Sequence, residues 1–168
     1  MLTIREAVPS DAVQIAHIQH VTWLATYVNK EHGIEPADIE AQSFESPERI
    51  AHHVDSINGT NSWKIWVAEV DGKVVGFNGV NKGEEINYQG GCYILPEYQG
   101  QGIGSELIKK SYAALGSDKP IECGVATFNE NALKFWKKQG FEVVGKDAHP
   151  LKSGKTLPLV KMLRPLKQ

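Results

Sequence analysis

The sequence predicts an α+β domain: a mixed, mostly antiparallel sheet of six to seven strands flanked by helices. Two observations lead there. The periodic segments run strand, helices, three strands, helix, strand, helix, two strands, an order that argues for layers around a largely antiparallel sheet. In the middle, WKIWVAEV and KVVGFNGV are rich in β-branched and aromatic residues and are joined by Asp71-Gly72, a two-residue turn suited to a hairpin.

Residues 2–7, LTIREA, alternate as a short strand. Pro9-Ser10-Asp11 then reads as a helix start, with Ser10 or Asp11 as the cap. From Ala12 the apolar residues Ile15, Ala16, Trp23 and Tyr27 recur at helical spacing, and this helix fades by Asn29. Two weaker helical patterns occupy 32–58, separated near Ser46-Pro47, where Ser46 caps the second. After the hairpin, Lys82-Gly83 turns the chain into a third strand over about 85–95. A helix is expected over 102–115, a strand over 121–127, and a helix over 129–139 that Gly140 terminates. Strands over 141–146 and 156–163 follow, with Ser153-Gly154 in the loop between them. No repeat, low-complexity tract or long linker divides the chain, so one domain over 1–168 is expected.

Composition narrows the function classes. The 168 residues are 41% hydrophobic and 23% charged, as in globular proteins that bury a core. A formal charge of −2 gives no electrostatic reason to expect nucleic acid. The N-terminal stretch lacks a signal-peptide pattern, and no run approaches the ~20 apolar residues of a membrane span. Cys92 and Cys123 form neither a zinc pattern nor a disulfide scaffold. The histidines His17, His20, His52 and His53 lack the converging ligands a metal needs. A cytoplasmic chain without membrane, nucleic-acid or metal partners is expected.

The glycine-rich stretch Gln99-Gly100-Gln101-Gly102-Ile103-Gly104 stands at the start of a helix, where glycine is locally unfavourable. Its G-x-G-x-G spacing is not the dinucleotide fingerprint, and Gly104-Ser105 lacks the lysine of a Walker loop. A tight strand-to-helix turn without ligand is one reading. The other is a pyrophosphate cradle, in which successive backbone N–H groups converge at a helix N-terminus. Missing Cβ atoms then permit close approach of phosphate oxygens.

Gln99-x-x-Gly102-x-Gly104, preceded by Cys92-Tyr93-Ile94-Leu95 and Pro96-Glu97-Tyr98, resembles the acetyl-CoA-binding motif of the GNAT N-acetyltransferases. A second block, Asn129-x-x-Ala132-x-x-Phe135-Trp136 ending in Gly140-Phe141, resembles that family's following helix at the same spacing. The resemblance covers 92–141 closely and implies the acyl-CoA N-acyltransferase fold, with acetyl-CoA as co-substrate. It implies that Gln99, Gly100, Gln101, Gly102, Ile103, Gly104 and Ser105 wrap the CoA pyrophosphate through main-chain N–H groups. Ile94 and Leu95 would meet the pantetheine arm in a splay between two strands. Asn129 would hydrogen-bond that arm, with Ala132, Phe135 and Trp136 beside the cofactor.

Direct transfer of an acetyl group to an amine fits such an arrangement, with the Ile94 N–H facing the developing oxyanion. Two positions depart from the family. Trp136 stands where many relatives have a tyrosine acid, and indole is a donor only. Tyr88 stands where some relatives have a glutamate base. Tyr88 and Tyr93 are therefore the candidate catalytic side chains. The family's acceptor pocket directs attention to Trp23, Thr26, Tyr27, Tyr88 and the stretch 149–157, with helix packing as the alternative for the two aromatics on the first helix. Glu84 and Glu85 stand where an acceptor amine would arrive and would attract a polyamine, with a solvated edge as the alternative. The expected function is acetyl transfer from acetyl-CoA to a small amine, such as a polyamine or amino-acid-like amine. A protein N-terminal or lysine acetyltransferase and a non-catalytic acyl-CoA-binding module are the alternatives. Similar enzymes commonly form homodimers.

Overall fold

The computed structural model describes residues 1–166. Seven strands form one sheet in the order β1-β2-β3-β4-β5-β7-β6. They are β1 (Leu2–Glu6), β2 (Trp63–Val70), β3 (Lys73–Asn81), β4 (Asn87–Ile94), β5 (Ile121–Ala126), β6 (Glu142–Pro150) and β7 (Thr156–Arg164). The helices are α1 (Ala12–Tyr27), α2 (Pro36–Glu40), α3 (Pro47–Ile57), α4 (Ile103–Leu115) and α5 (Glu130–Lys138). Every strand pair is antiparallel except β4 with β5. This is the mixed α+β sheet the sequence predicts.

The central hairpin closes as its turn residues dictate. Asp71 and Gly72 both take positive φ, 49° and 83°, the pair that matches the twist of two-residue hairpins. From Val74 to Val80 every residue of β3 is buried, so helices cover both of its faces. Phe77 points to the face covered by α1 and α3, where His53 packs edge-on against it with ring centroids 6.3 Å apart. Its neighbour Asn78 points to the opposite face, where its amide donates to Ser111 Oγ of α4 at 2.7 Å.

Local signals fail where pairing or charge overrides them. Asp11 does not cap α1: its carboxylate accepts from Val8 N and from both terminal nitrogens of Arg5, a half-buried ion pair that ties the turn to β1. Ser46 does cap α3, accepting from Arg49 N at 3.3 Å. β6 extends to Pro150 rather than residue 146, because His149 and Pro150 still pair with Leu157 and Thr156 across the hairpin.

Candidate functional site

The site begins where two parallel strands part. β4 and β5 pair only at Asn87↔Ile121 and Tyr88↔Glu122, then diverge. The register of β4 on β3 slips by one residue between Val80↔Gln89 and Asn78↔Cys92, which places Gly90 and Gly91 opposite Gly79 as a bulge. Crowding demands glycine here, since a Cβ on Gly91 would drive into the Tyr93 ring. The bulge is held from behind: Gln89 Nε2 donates to Gly90 O at 2.8 Å and to Asn78 Oδ1 at 2.5 Å. The result is a cleft of about 1360 Å³ that passes between the two strands.

Hydrogen-bond parity decides what lines this gap. Leu95 N donates to Val75 O at 2.9 Å, which makes Gly76–Ile94 a non-hydrogen-bonded pair. The main-chain groups of Ile94 and Cys92 therefore face away from β3, into the gap. Across it, Thr127 N donates to Pro158 O at 3.0 Å, so by the same alternation the main-chain groups of Gly124 face the gap from β5. Gln99 Nε2 satisfies Ile94 O at 2.8 Å and leaves the Ile94 N–H as the open donor. An elongated ligand with amide groups fits such a gap as an extra strand would.

At one mouth of the cleft the chain forms an amide-lined loop. Gly100 and Gly102 take φ of 74° and 81°, left-handed values that favour glycine. A Cβ on either would meet nothing within 4 Å, so conformation rather than crowding selects glycine there. The first backbone bond of α4 runs from Glu106 N to Gly102 O at 3.2 Å. The N–H groups of residues 100–105 consequently have no acceptor among the described residues. Gln101 is pinned back onto Glu97 O at 3.2 Å, which clears its side chain from the loop. A row of free amides at a helix N-terminus, with open space before it, is an anion site. The fit to a diphosphate is good.

α5 forms the facing wall. Asn129 caps it, its side-chain oxygen accepting from Ala132 N at 3.2 Å, and its NH2 group bonds to nothing among the described residues. Phe135 lies 3.5 Å from where a Cβ on Gly104 would stand, so that glycine admits α5 close to the loop. Trp136 is 7% exposed, packed edge-on between Phe135 and Phe141, and borders the cleft.

The far mouth, on the α1 side, is aromatic. Trp23 and Tyr27 line it, with ring centroids 4.7 Å apart, and Trp23 meets His149 of β6 at 5.8 Å. Tyr93 joins them from β4. Burial pushes the Tyr27 hydroxyl well above its usual acidity range, with the neighbouring Tyr93 adding to the effect; burial also raises Tyr93. Both phenols stay protonated near neutrality. Burial lowers His149, and the Arg49 charge lowers it further against the opposing pull of Asp147. His149 is thus a neutral imidazole bordering the cleft at pH 7. Asp147, two residues earlier on the same strand, shares its side of the hairpin.

Several sequence expectations change. Leu95 is 4% exposed and its N–H is engaged by Val75, so only Ile94 of that pair can serve a ligand. Tyr88 is 42% exposed at the paired start of β4, where its ring packs near the turn at Gly83; it does not border the cleft. Glu84 and Glu85, in that same turn, lie outside it as well. The bulge at Gly90–Gly91 inserts one residue between Tyr88 and the part of β4 that borders the cleft. Cys123 faces the core, and burial pushes both cysteine thiols up to about 12, which keeps them protonated and removes them as nucleophiles. Sequence reasoning did not single out Asp147, and reached His149 only as the end of a stretch. The signal that would have found them is the full length of the β6–β7 hairpin.

Among the described residues, no group of three His, Cys, Asp or Glu is placed to hold a metal, and no helix is long and apolar enough to cross a membrane.

Comparisons with known proteins agree with this geometry. Residues 61–143 match the model of the acetyltransferase (GNAT) domain. An uncharacterised N-acetyltransferase of Methanocaldococcus jannaschii is 35% identical over 87 residues, 46% of this chain and 38% of that protein. One from Archaeoglobus fulgidus is 31% identical over 84 residues, 45% of this chain and 57% of that protein. The chain thus matches only part of the length of these relatives. The crystal structure of the PaiA N-acetyltransferase from Thermoplasma acidophilum, in complex with coenzyme A, superposes with a TM-score of 0.81. That match has 18% identity and covers 98% of this chain and 99% of that one.

Proposed function

We propose that this chain, which carries a GNAT-type acetyltransferase domain, transfers the acetyl group of acetyl-CoA directly to a small amine. The observation that carries the reading is the continuity of free main-chain donors. They run from the amides of 100–105, along Ile94 and Gly124, to the aromatic mouth. The loop would hold the diphosphate and the strand gap the pantetheine arm, with the Asn129 NH2 and the faces of Ala132, Phe135 and Trp136 beside it.

The Ile94 N–H then faces the thioester carbonyl and stabilises the charge that gathers on its oxygen. The acceptor arrives as an ammonium and must lose a proton before attack, since alkyl amines have a pKa near 10.4. His149, neutral and bordering the cleft, accepts that proton directly or through water. A nitrogen–carbon bond forms and the carbon–sulfur bond breaks. Tyr93, kept protonated by burial, supplies the proton that the departing thiolate takes up, and the amine's second proton replaces it.

Calorimetry with acetyl-CoA, followed by CoA release against panels of polyamines, amino acids and peptides, tests this reading. Micromolar binding with turnover on small amines is expected. Turnover on peptides alone makes it a protein acetyltransferase. Binding without turnover on any acceptor makes it an acyl-CoA-binding module.

A further inference from the structure

A second, smaller chamber opens off the cleft on the face covered by α1 and α3. Its volume is about 180 Å³, room for roughly six non-hydrogen atoms at the volume a water occupies. Gln19, Trp63, Tyr93 and the Gly90–Gly91 bulge border both spaces, so the chamber meets the cleft at the bulge.

Its polar lining is unbalanced. Arg49 Nε, His53 Nε2 and Gln19 Oε1 are buried with no hydrogen-bond partner among the described residues. A buried guanidinium N–H without an acceptor is costly, and here no carboxylate supplies one. Arg49 makes no ion pair among the described residues. Glu45, one helical turn before it, is held instead by His17 at 2.6 Å and His20 at 3.4 Å. Glu40 is likewise taken by His20 at 3.1 Å. The guanidinium is positioned over the Phe44 ring, 5.2 Å from its centroid. Its charge is felt by Tyr93 and His149, two of the side chains at the mouth where an acceptor would arrive. Burial, Arg49 and His52 together hold His53 down to about 4, so at neutral pH it is an uncharged hydrogen-bonding group beside Arg49. Glu84 and Glu85, the carboxylates that would draw a polycation, border neither space.

We infer that the acceptor is a small amine bearing a carboxylate, with the carboxylate held by Arg49 in this chamber and the amino group directed past the Gly90–Gly91 bulge into the cleft. The inference rests on the acetyl-transfer reading and names its substrate class. Asp147, in the main cleft rather than the chamber, offers the arriving ammonium a counter-charge, so the two ends of an amino acid meet opposite partners.

The test uses the full chain and matched probes. CoA release is followed with glycine, alanine and glutamate, with their carboxamides, and with spermidine. In parallel, tryptophan quenching in the CoA-saturated protein is titrated with the N-acetylated acids and N-acetylated amides. The acids should exceed the amides by at least roughly 10-fold in kcat/KM, the scale of one charge-assisted bond. Arg49→Met should abolish that preference chiefly through KM, while Arg49→Lys retains part of it and CoA affinity stays at the wild-type value in both. The wild-type acid-to-amide ratio decides the matter even where a variant misfolds. Equal rates on acids and amides, or a preference for spermidine, overturn the assignment. So does quenching that does not distinguish the two sets. Acid-selective, Arg49-dependent quenching without turnover would keep the carboxylate site and reject acetyl transfer.

Discussion

Replacing Gly102 by Ala separates the stability of the loop from its affinity for an anion. Gly102 sits at φ of 81° with nothing within 4 Å of the position a Cβ would take. An L-residue held in this left-handed region costs about 1–2 kcal/mol, and no clash adds to that. At about 2–4 °C per kcal/mol for a domain of this size, the melting temperature should fall by roughly 2–8 °C. Relaxation of the strain turns the peptide entering α4 and swings the amides of 103–105 off their common focus. Each such N–H to a charged acceptor is worth ~1.5–3 kcal/mol, so losing one weakens CoA binding by roughly 10- to 150-fold. Gly59→Ala is the matched control, with φ of 75°, the same open surroundings and no place in the cleft. It should lose similar stability and no affinity. Thermal denaturation and calorimetry with CoA read the two quantities independently. Unchanged CoA affinity in Gly102→Ala, or an equal loss in Gly59→Ala, would refute the amide cradle.

Tyr93→Phe should lower turnover by about 100-fold, the lower range for loss of a positioned acid, with CoA affinity intact, whereas Tyr88→Phe should stay within about twofold of the wild type; steady-state kinetics of both variants decide between the two tyrosines. His53 titrates near 4 in the fold, chiefly through burial and then through Arg49 and His52, against an ordinary value of 6.5. Its neutral form is the one the fold favours, so its contribution is complete above pH 6.5, declines as the pH falls toward 4 and is flat below. His53→Leu should therefore flatten the acid side of a urea-denaturation stability profile by on the order of 2 kcal/mol, and an unchanged slope would count against the burial argument.

The sequence by itself determined the elements and the anion loop, because both are written in local chemistry. The Asp71-Gly72 turn fixes a hairpin through backbone conformations that few other pairs adopt. Gly100 and Gly102 likewise announce left-handed turns at a helix start, and Asn129 the cap of α5. These are properties of a few consecutive residues. The acceptor end is not local, and there the tertiary structure decided. One extra residue at Gly90–Gly91 re-aims β4, sending Tyr88 to the surface while Tyr93 joins the cleft. Leu95 and Ile94 are adjacent in sequence, yet strand parity commits one amide to β3 and opens the other to the gap. Arg49, Tyr93 and His149 come from α3, β4 and β6, and no spacing rule relates them. Their charges and acidities are set by who is buried beside whom, a quantity that exists only once the sheet has parted and the helices have packed across it.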